Sequence, residues 1–490
     1  MRLSANSPRS DGASWPDYQP ETHNAGIVHL GLGAFARAHI AAYTDAALAV
    51  APGNWRIIGV SLRGTDVAQA LNAQDGRYTL IVRGEENRAS VIGSISHVLS
   101  GPGVGAYALA AIVHPACHIV SITVTEKGYG LLRSGGCDPD HPAIKADLAE
   151  PHAPKGVLGL LTLGLKRRFD ASQPPFTILS CDNLPDNGAL LRAAVIDFAR
   201  RAHGANLAER IASEVAFPAT MVDRITPQAT AQTRTDAALA TGCDDEAAIE
   251  TEAFSQWVIE DNFPHGRPVW EAMGATFTDN VRPFEMMKLR MLNGSHSMLA
   301  YTGFLAGKTY VRDVMADAAL NKLVLRHLRA AAKTLPPIDI NLDTYAQALA
   351  ERFRNRAIAH ETRQIAMDGT EKMPQRIFAP ALDTLEKGGD TTPFAFAAAA
   401  WMRYGLGYND IGKTYPLNDP RANEISAALS HLSTADAIFS AYAGLPGLLP
   451  SVLKGGLFAQ QVKACLQRML SDGVTESIAY EAANLCVSHR

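Results

Sequence analysis

Three residues of the stretch KLRMLNGSHSMLAYTGFLAGKTY, Lys288 to Tyr310, carry chemistry that an apolar helix does not need: Lys288, Asn293 and His296. At about 100° per residue an α-helix sets Asn293 roughly 140° and His296 roughly 80° from Lys288, so the three share one arc of the helix surface. Met286, Met287, Leu289, Met291, Leu292, Met298 and Leu299 surround them and argue for burial. In a dry pocket the charged form of a lysine is disfavoured. Such a lysine accepts a proton from an alcohol as hydride leaves the same carbon. An amide donor steadies the charge that develops on that oxygen, and an imidazole holds a neighbouring hydroxyl or tunes the lysine. Each residue also has an ordinary reading. A lysine snorkels to water, an asparagine bonds helix backbone, and a core histidine is satisfied by its neighbours. The three together favour a site.

Hydride chemistry needs an acceptor, and AGIVHLGLGAFARAHIAAYTDAAL suits one. Ile27 to Leu30 read as a buried parallel strand. Gly31, Gly33 and Ala36 then form a G-x-G-x-x-A turn, followed by a helix expected from Phe35 to Leu48. This order fits a dinucleotide: a tight turn, a bare backbone near the pyrophosphate, and close helix packing. Gly31, Gly33 and Phe35 are its cofactor-side candidates. The next strand, WRIIGVSL (Trp55 to Leu62), ends without the acidic residue that holds a ribose diol in NAD-specific folds. Asp66 lies a few residues late, and Arg63 suits a ribose phosphate or the adenine face, so NAD and NADP both stay open. Two further β-branched runs end in polar groups, Thr125 and Glu126 after Ile119–Val124, and Asp182 and Asn183 after Phe176–Leu179. Asn187 reads as a turn residue. ATMVDRITP supplies another strand end with Asp223 and Arg224, which have each other as natural ion-pair partners.

The 490 residues exceed one core and point to two domains or three. A net charge of −4 argues against nucleic acid or an anionic membrane as the main partner. No apolar run reaches the ~20 residues of a membrane helix. Cys117, Cys137, Cys181, Cys243, Cys465 and Cys486 form no CxxC pair, which suits reduced thiols in the cytoplasm and no local metal cluster. Residues 1–23 read as a polar, flexible tail. From Phe284 onward amphipathic helices dominate, and DGTEKMPQR (368–376) reads as a polar loop whose Lys372 and Arg376 reach a substrate hydroxyl or carboxylate, or simply water.

Lys288-x4-Asn293-x2-His296 resembles the catalytic helix of the mannitol dehydrogenase family, the metal-independent long-chain polyol dehydrogenases and related hexuronate reductases. GLGAFARAH (31–39), GVSLR (59–63), VTEKGY (124–129), SCDN (180–183), MVDRITP (221–227) and WVIEDNF (257–263) extend the resemblance over roughly residues 24 to 460. It implies an α/β fold, with a Rossmann-type doubly wound domain over 24–283 and a mainly α-helical C-terminal domain over 284–490. It implies Lys288 as general base, Asn293 and Asn183 as donors to the reacting oxygen, His296 as substrate-positioning residue and Asp223 as a secondary active-site residue, with NAD favoured as cofactor. Mannitol to fructose is the leading reaction, with arabinitol and sorbitol near it. A fructuronate reductase is the near alternative, with Lys372 or Arg376 as the carboxylate's cation. A non-catalytic dinucleotide sensor is the alternative of another class, and a zinc alcohol dehydrogenase is disfavoured by the scattered ligands.

Overall fold

The computed structural model describes residues 1–132 and 135–485, with Glu126 and Lys127 described by their backbone alone. The chain divides into two compact units, Met1–Arg282 and Pro283–Arg490.

The first unit contains eleven strands among the described residues: β1 (Ala25–Leu30), β2 (Arg56–Val60), β3 (Tyr78–Arg83), β4 (Arg88–Ile92), β5 (Ile95–Leu99), β6 (Ile119–Ile122), β7 (Thr177–Ser180), β8 (Thr220–Asp223), β9 (Ile249–Glu252), β10 (Gln256–Glu260) and β11 (Thr276–Thr278). Five of them form a parallel sheet in the order β5-β2-β1-β6-β7. Counted along the chain this is the order 3-2-1-4-5 of a dinucleotide-binding fold, with its switch point between β1 and β6. The strands are mostly apolar, as strands covered on both faces are, with His29 and Ser121 buried among them. Ile27, Ile57, Ile119 and Leu179 join one core; Val28, Val60, Val120 and Ile178 join the other. The register sets Leu30, Val60 and Ile122 abreast, with Ser180 beside Ile122 and Leu99 beside Val60. All five carboxyl ends therefore emerge on one edge. Two three-stranded sheets, β4-β3-β9 and β11-β10-β8, complete the unit.

Two expectations fail here. The helix after the glycine turn is not continuous. It runs over Ala34–Ala38, breaks at His39 (φ −115°, ψ −93°) and resumes as Ile40–Val50. The expected flexible tail is packed structure. Leu3 is fully buried beside Val91 and Cys243, Arg2 and Ser14 bridge to Asp244 and Ser90, and Tyr18 donates to Asp45 Oδ1 at 2.6 Å. The polar composition of the segment hides the few apolar residues that anchor it.

The second unit is helical. The helix Gly294–Leu305 is buried along nearly its whole length. Against it pack Ala318–Ala332, Thr362–Ile365 and Thr392–Tyr404. The last of these is buried continuously from Pro393 to Tyr404, and its run of alanines from 397 to 400 permits close approach. Two segments depart from α-helix. Lys288–Asn293 is a π-helical turn leading into Gly294–Leu305. Gly369–Met373 is helical and continues into a second π-turn, Pro374–Phe378. The expected loop over 368–376 is thus folded helix. The two π-turns touch. A Cβ at Gly294 would lie 2.9 Å from the Arg376 carbonyl oxygen and 3.4 Å from His327 Nε2, so only glycine admits this approach. Arg290, itself buried, pins the first turn by donating to Asp383 Oδ2 at 2.6 Å and to the Thr334 carbonyl at 2.9 Å.

Gly294→Ala forces the π-turns apart and costs about 1–3 kcal/mol, read as a lowered melting midpoint with secondary structure retained. Burial pushes the Asp45 carboxyl up from its ordinary value to about 6, against the hydrogen bonds from Tyr18 and Gly93. The folded chain then holds the Asp45 proton more tightly than the unfolded chain. The corresponding stability is present below about pH 4 and lost as pH rises through about 6, on the order of 2–3 kcal/mol. Melting curves across pH 4–7 should show this slope in the wild type and a flatter one in Asp45→Asn; parallel slopes would remove Asp45 as the cause.

Candidate active site

The carboxyl edge of the parallel sheet collects most of the cofactor-side candidates. Gly31 follows β1 at φ +92°, and its amide and that of Leu32 both donate to the Val60 carbonyl at the tip of β2. A Cβ at Gly31 would fall inside the Thr123 carbonyl oxygen, so no other residue fits the turn. Beneath it His29, fully buried in β1, bridges Ser121 Oγ through Nδ1 and Thr123 Oγ1 through Nε2, each at 2.8 Å. Thr123 Oγ1 in turn donates to the Gly31 carbonyl at 2.8 Å. Burial holds the His29 imidazole down at about 3, so this support is neutral at physiological pH. Gly33 is exposed, and a Cβ there would meet nothing nearer than 3.9 Å. The bare backbone therefore has room for a phosphate, and the turn fits a dinucleotide. Phe35 turns inward instead, partly buried and stacked on His39 at 5.0 Å between ring centroids.

At the tip of β2 Ser61 Oγ donates to the Gly64 carbonyl at 2.7 Å, Arg63 is exposed, and Asp66 opens the helix Asp66–Asn72 rather than ending the strand. An acid in a first helical turn is favoured by the helix dipole whatever else it does.

After β6, Thr125 adopts φ +68° and ψ 157°, a region that is essentially glycine's and costs a β-branched residue about 1–3 kcal/mol. Asp182, beyond β7, accepts from the Val124 amide at 2.9 Å, the Thr125 amide at 3.3 Å and Tyr129 Oη at 2.7 Å. Burial raises the Asp182 carboxyl from its usual range, and those three donors oppose the rise. Asn183 follows directly and is exposed. The side chain of Glu126 lies outside the described residues, as does Cys486.

Asn187 is no mere turn residue. It is fully buried and its amide ties β7 to β8: Nδ2 donates to the Thr220 carbonyl at 2.9 Å and Oδ1 accepts from the Thr220 amide at 2.9 Å. This clasp carries β8, and with it Asp223, alongside the sheet. Asp223 is buried at the end of β8, opposite Gln256. Arg224 does not need it as partner, since its guanidinium donates to the Ala38 and Glu252 carbonyls.

In the second unit the π-turns bring together residues that the sequence separates by some eighty positions. Arg376 Nη1 donates to the Asn293 carbonyl at 3.3 Å and to Ser297 Oγ at 3.4 Å. A π-turn closes its hydrogen bonds over five residues instead of four. It therefore carries Asn293 round toward the face of Lys288, closer than an α-helical count places it. Lys288 and Asn293 are half-buried and His296 is buried. Lys372 Nζ donates to the Met367 and Ile365 carbonyls at 2.6 and 3.3 Å, with Asp368 at 3.7 Å. Burial lowers its ammonium and brings the Arg376 guanidinium down to about 10, so Arg376 stays charged at neutral pH.

His296 has a neighbour that sequence reasoning missed. The His360 ring meets it edge-on at 5.2 Å, and Phe353 packs on it at 4.6 Å. His360 sits in an irregular stretch with no periodicity to mark it. Among the described residues His296 Nε2 is buried without a hydrogen-bond partner. Burial pushes the imidazole well down, reinforced by His360, Arg352, Arg376 and Lys372. A neutral imidazole with an unsatisfied nitrogen, ringed by cations, suits a hydroxylated or anionic ligand. Among the described residues no cluster of three or more His, Cys, Asp and Glu is gathered for a metal ion.

Comparison with known proteins agrees with this geometry. Residues 25–272 match the mannitol dehydrogenase Rossmann domain and residues 280–443 the mannitol dehydrogenase C-terminal domain. The chain is 40% identical to D-mannonate oxidoreductase of Escherichia coli, covering 95% of this chain and 97% of that protein. It is 36% identical to mannitol 2-dehydrogenase of Phaeosphaeria nodorum, covering 95% and 83%. The structure of Pseudomonas fluorescens mannitol 2-dehydrogenase, a ternary complex with NAD and D-mannitol, superposes with a TM-score of 0.83 at 34% identity, covering 99% of this chain and all of that one. The likeness runs along nearly the whole length of the chain, and the chain belongs to the mannitol dehydrogenase family of oxidoreductases.

Proposed function

We propose that this protein oxidises a secondary alcohol of an open-chain polyol to the ketose with NAD, mannitol to fructose first among candidates, with arabinitol and sorbitol near it. The observation that carries the reading is the first π-turn, which turns Lys288 and Asn293 toward one face and holds Asn293 by Arg376. Lys288 takes the hydroxyl proton. Asn293 donates to the reacting oxygen and Asn183 is the second donor. His296, neutral through burial, accepts or donates at a neighbouring hydroxyl, and Asp223 supports the substrate. A bound nicotinamide would supply the hydride acceptor. Gly31, Gly33, Thr125 and Glu126 line its side of the reaction, with Phe35 behind the turn and Arg63 and Asp66 at the ribose end. NAD is preferred to NADP because the structural relative that superposes over the full chain holds NAD.

The cations around His296 favour a second reading, in which the substrate is the corresponding sugar acid and Arg376 or Lys372 meets its carboxylate. The identity to D-mannonate oxidoreductase supports the same branch.

Initial rates with mannitol, arabinitol, sorbitol, fructose, mannonate and fructuronate, each with NAD(H) and NADP(H), separate the two. Turnover of a neutral polyol selects the first reading, and turnover of the acids alone selects the second. Lys288→Ala should lower kcat by about 10²–10⁴-fold while NADH binding persists. Unchanged turnover in that variant would remove Lys288 as the base, and NADH binding with no turnover in the wild type would favour the sensor.

A further inference from the structure

One carboxylate links two segments that the proposed reaction uses. Asp182 collects the amides of Val124 and Thr125 on its two oxygens, which fixes the orientation of the peptide between them. Tyr129 adds a third leg, donating to Asp182 Oδ2 at 2.7 Å with Ser180 Oγ 3.0 Å from its hydroxyl. The backbone of Asp182 is held as firmly. Its carbonyl accepts from Asn187 Nδ2 at 3.3 Å and from the Leu184 amide at 2.9 Å, and the Cys181 amide donates to the Ile122 carbonyl at 2.9 Å. Asp182 is therefore anchored to β7 on one side and grips the loop after β6 on the other. What it grips is the one strained residue of that loop: Thr125, at φ +68° and ψ 157°. A threonine does not rest there unaided, and charge-assisted bonds to its own amide and the preceding one supply the restraint.

We propose that Asp182 is a positioning residue: it holds Thr125 in a conformation normally open only to glycine, and so sets the loop after β6 and the adjoining Asn183 in one fixed relation. The claim rests on the reading above, in which Thr125 serves the cofactor and Asn183 the reacting oxygen. It assigns Asp182 no contact with either ligand. A carboxylate that merely stabilised the fold would not depend on the conformation of Thr125. A positioning carboxylate does, because a glycine at 125 reaches the same backbone angles without restraint.

The test compares Asp182→Asn in two backgrounds, wild type and Thr125→Gly, by NADH fluorescence titration, steady-state kinetics and thermal melting. In the wild-type background the substitution should weaken NADH binding and lower kcat, each at least tenfold, because an amide nitrogen replaces one acceptor. In the Thr125→Gly background the loss of NADH affinity should shrink at least threefold, with no matching recovery of the melting midpoint. Equal losses in both backgrounds, or NADH binding and kcat within twofold of wild type, would overturn the proposal. Should Asp182→Asn not fold, Tyr129→Phe removes one leg alone. A two- to fivefold weaker NADH binding that Thr125→Gly rescues would support the proposal, and unchanged binding would overturn it. The titration needs no substrate. Wild-type protein that binds NADH and oxidises no polyol removes the substrate reading, while the ratio between backgrounds still decides the role of Asp182.

Discussion

The closeness of β1 and β6 constrains everything at the sheet edge. Leu30 pairs with Ile122, so the next residues must turn away in the shadow of the Thr123 carbonyl, and only Gly31 can do so. The turn is then held from below by His29 through Ser121 and Thr123. Because burial keeps His29 neutral, the support does not vary across physiological pH. The same adjacency carries outward. β7 lies beside β6, Asp182 reaches back across it, and Asn187 draws β8 alongside. One crossover thus governs the placement of Gly31, Thr125, Asn183 and Asp223 in turn.

The second unit solves a different problem. A long buried helix tends to distribute its side chains evenly, whereas the π-turn over Lys288–Asn293 carries its two ends toward one face. Inserting one residue per turn does this at the cost of regular helical hydrogen bonding. That cost is offset by neighbours: Arg290 to Asp383 and Thr334, and Arg376 to Asn293 and Ser297. The second π-turn is what brings Arg376 within reach. Two irregular segments that would each be unfavourable alone are fixed by facing one another across Gly294.

The parts of the molecule legible in the sequence are those set by local rules. A strand buried on both faces must be an unbroken apolar run, and a turn at positive φ must be glycine, so β1, Gly31 and the strand ends at Thr125 and Asn183 stand out. Lys288, Asn293 and His296 stand out in the sequence as three polar residues in an apolar helix, and the proposed site is built on them. The π-turns were not legible, because helical periodicity assumes the α-helical repeat that they break. The break at His39, the packed residues 1–23 and the folded stretch 368–376 were hidden for a related reason. Each looks polar or regular along the chain and is decided by a distant partner: Trp257 against His39, Asp45 against Tyr18, Asn293 against Arg376. Asn187 shows the limit most clearly, since only the position of Thr220 distinguishes a sheet clasp from a turn.

The electrostatics of the two units are opposite in kind, and this bears on what each can hold. At the sheet edge the buried groups are a neutral histidine and a carboxylate satisfied by three donors. A phosphate group at the glycine turn would be met by backbone amides at the bare Gly33. Around His296 the balance is cationic. Arg376 keeps its proton although burial depresses it: its Nη1 donates to the Asn293 carbonyl and to Ser297 Oγ, and the Asp368 carboxylate favours its charge. Under the proposed function a polyol would offer this cluster acceptor oxygens and a sugar acid a full charge. Burial first, and then the neighbouring cations, keep His296 neutral, and a neutral imidazole is the form able both to accept and to donate at adjacent hydroxyls.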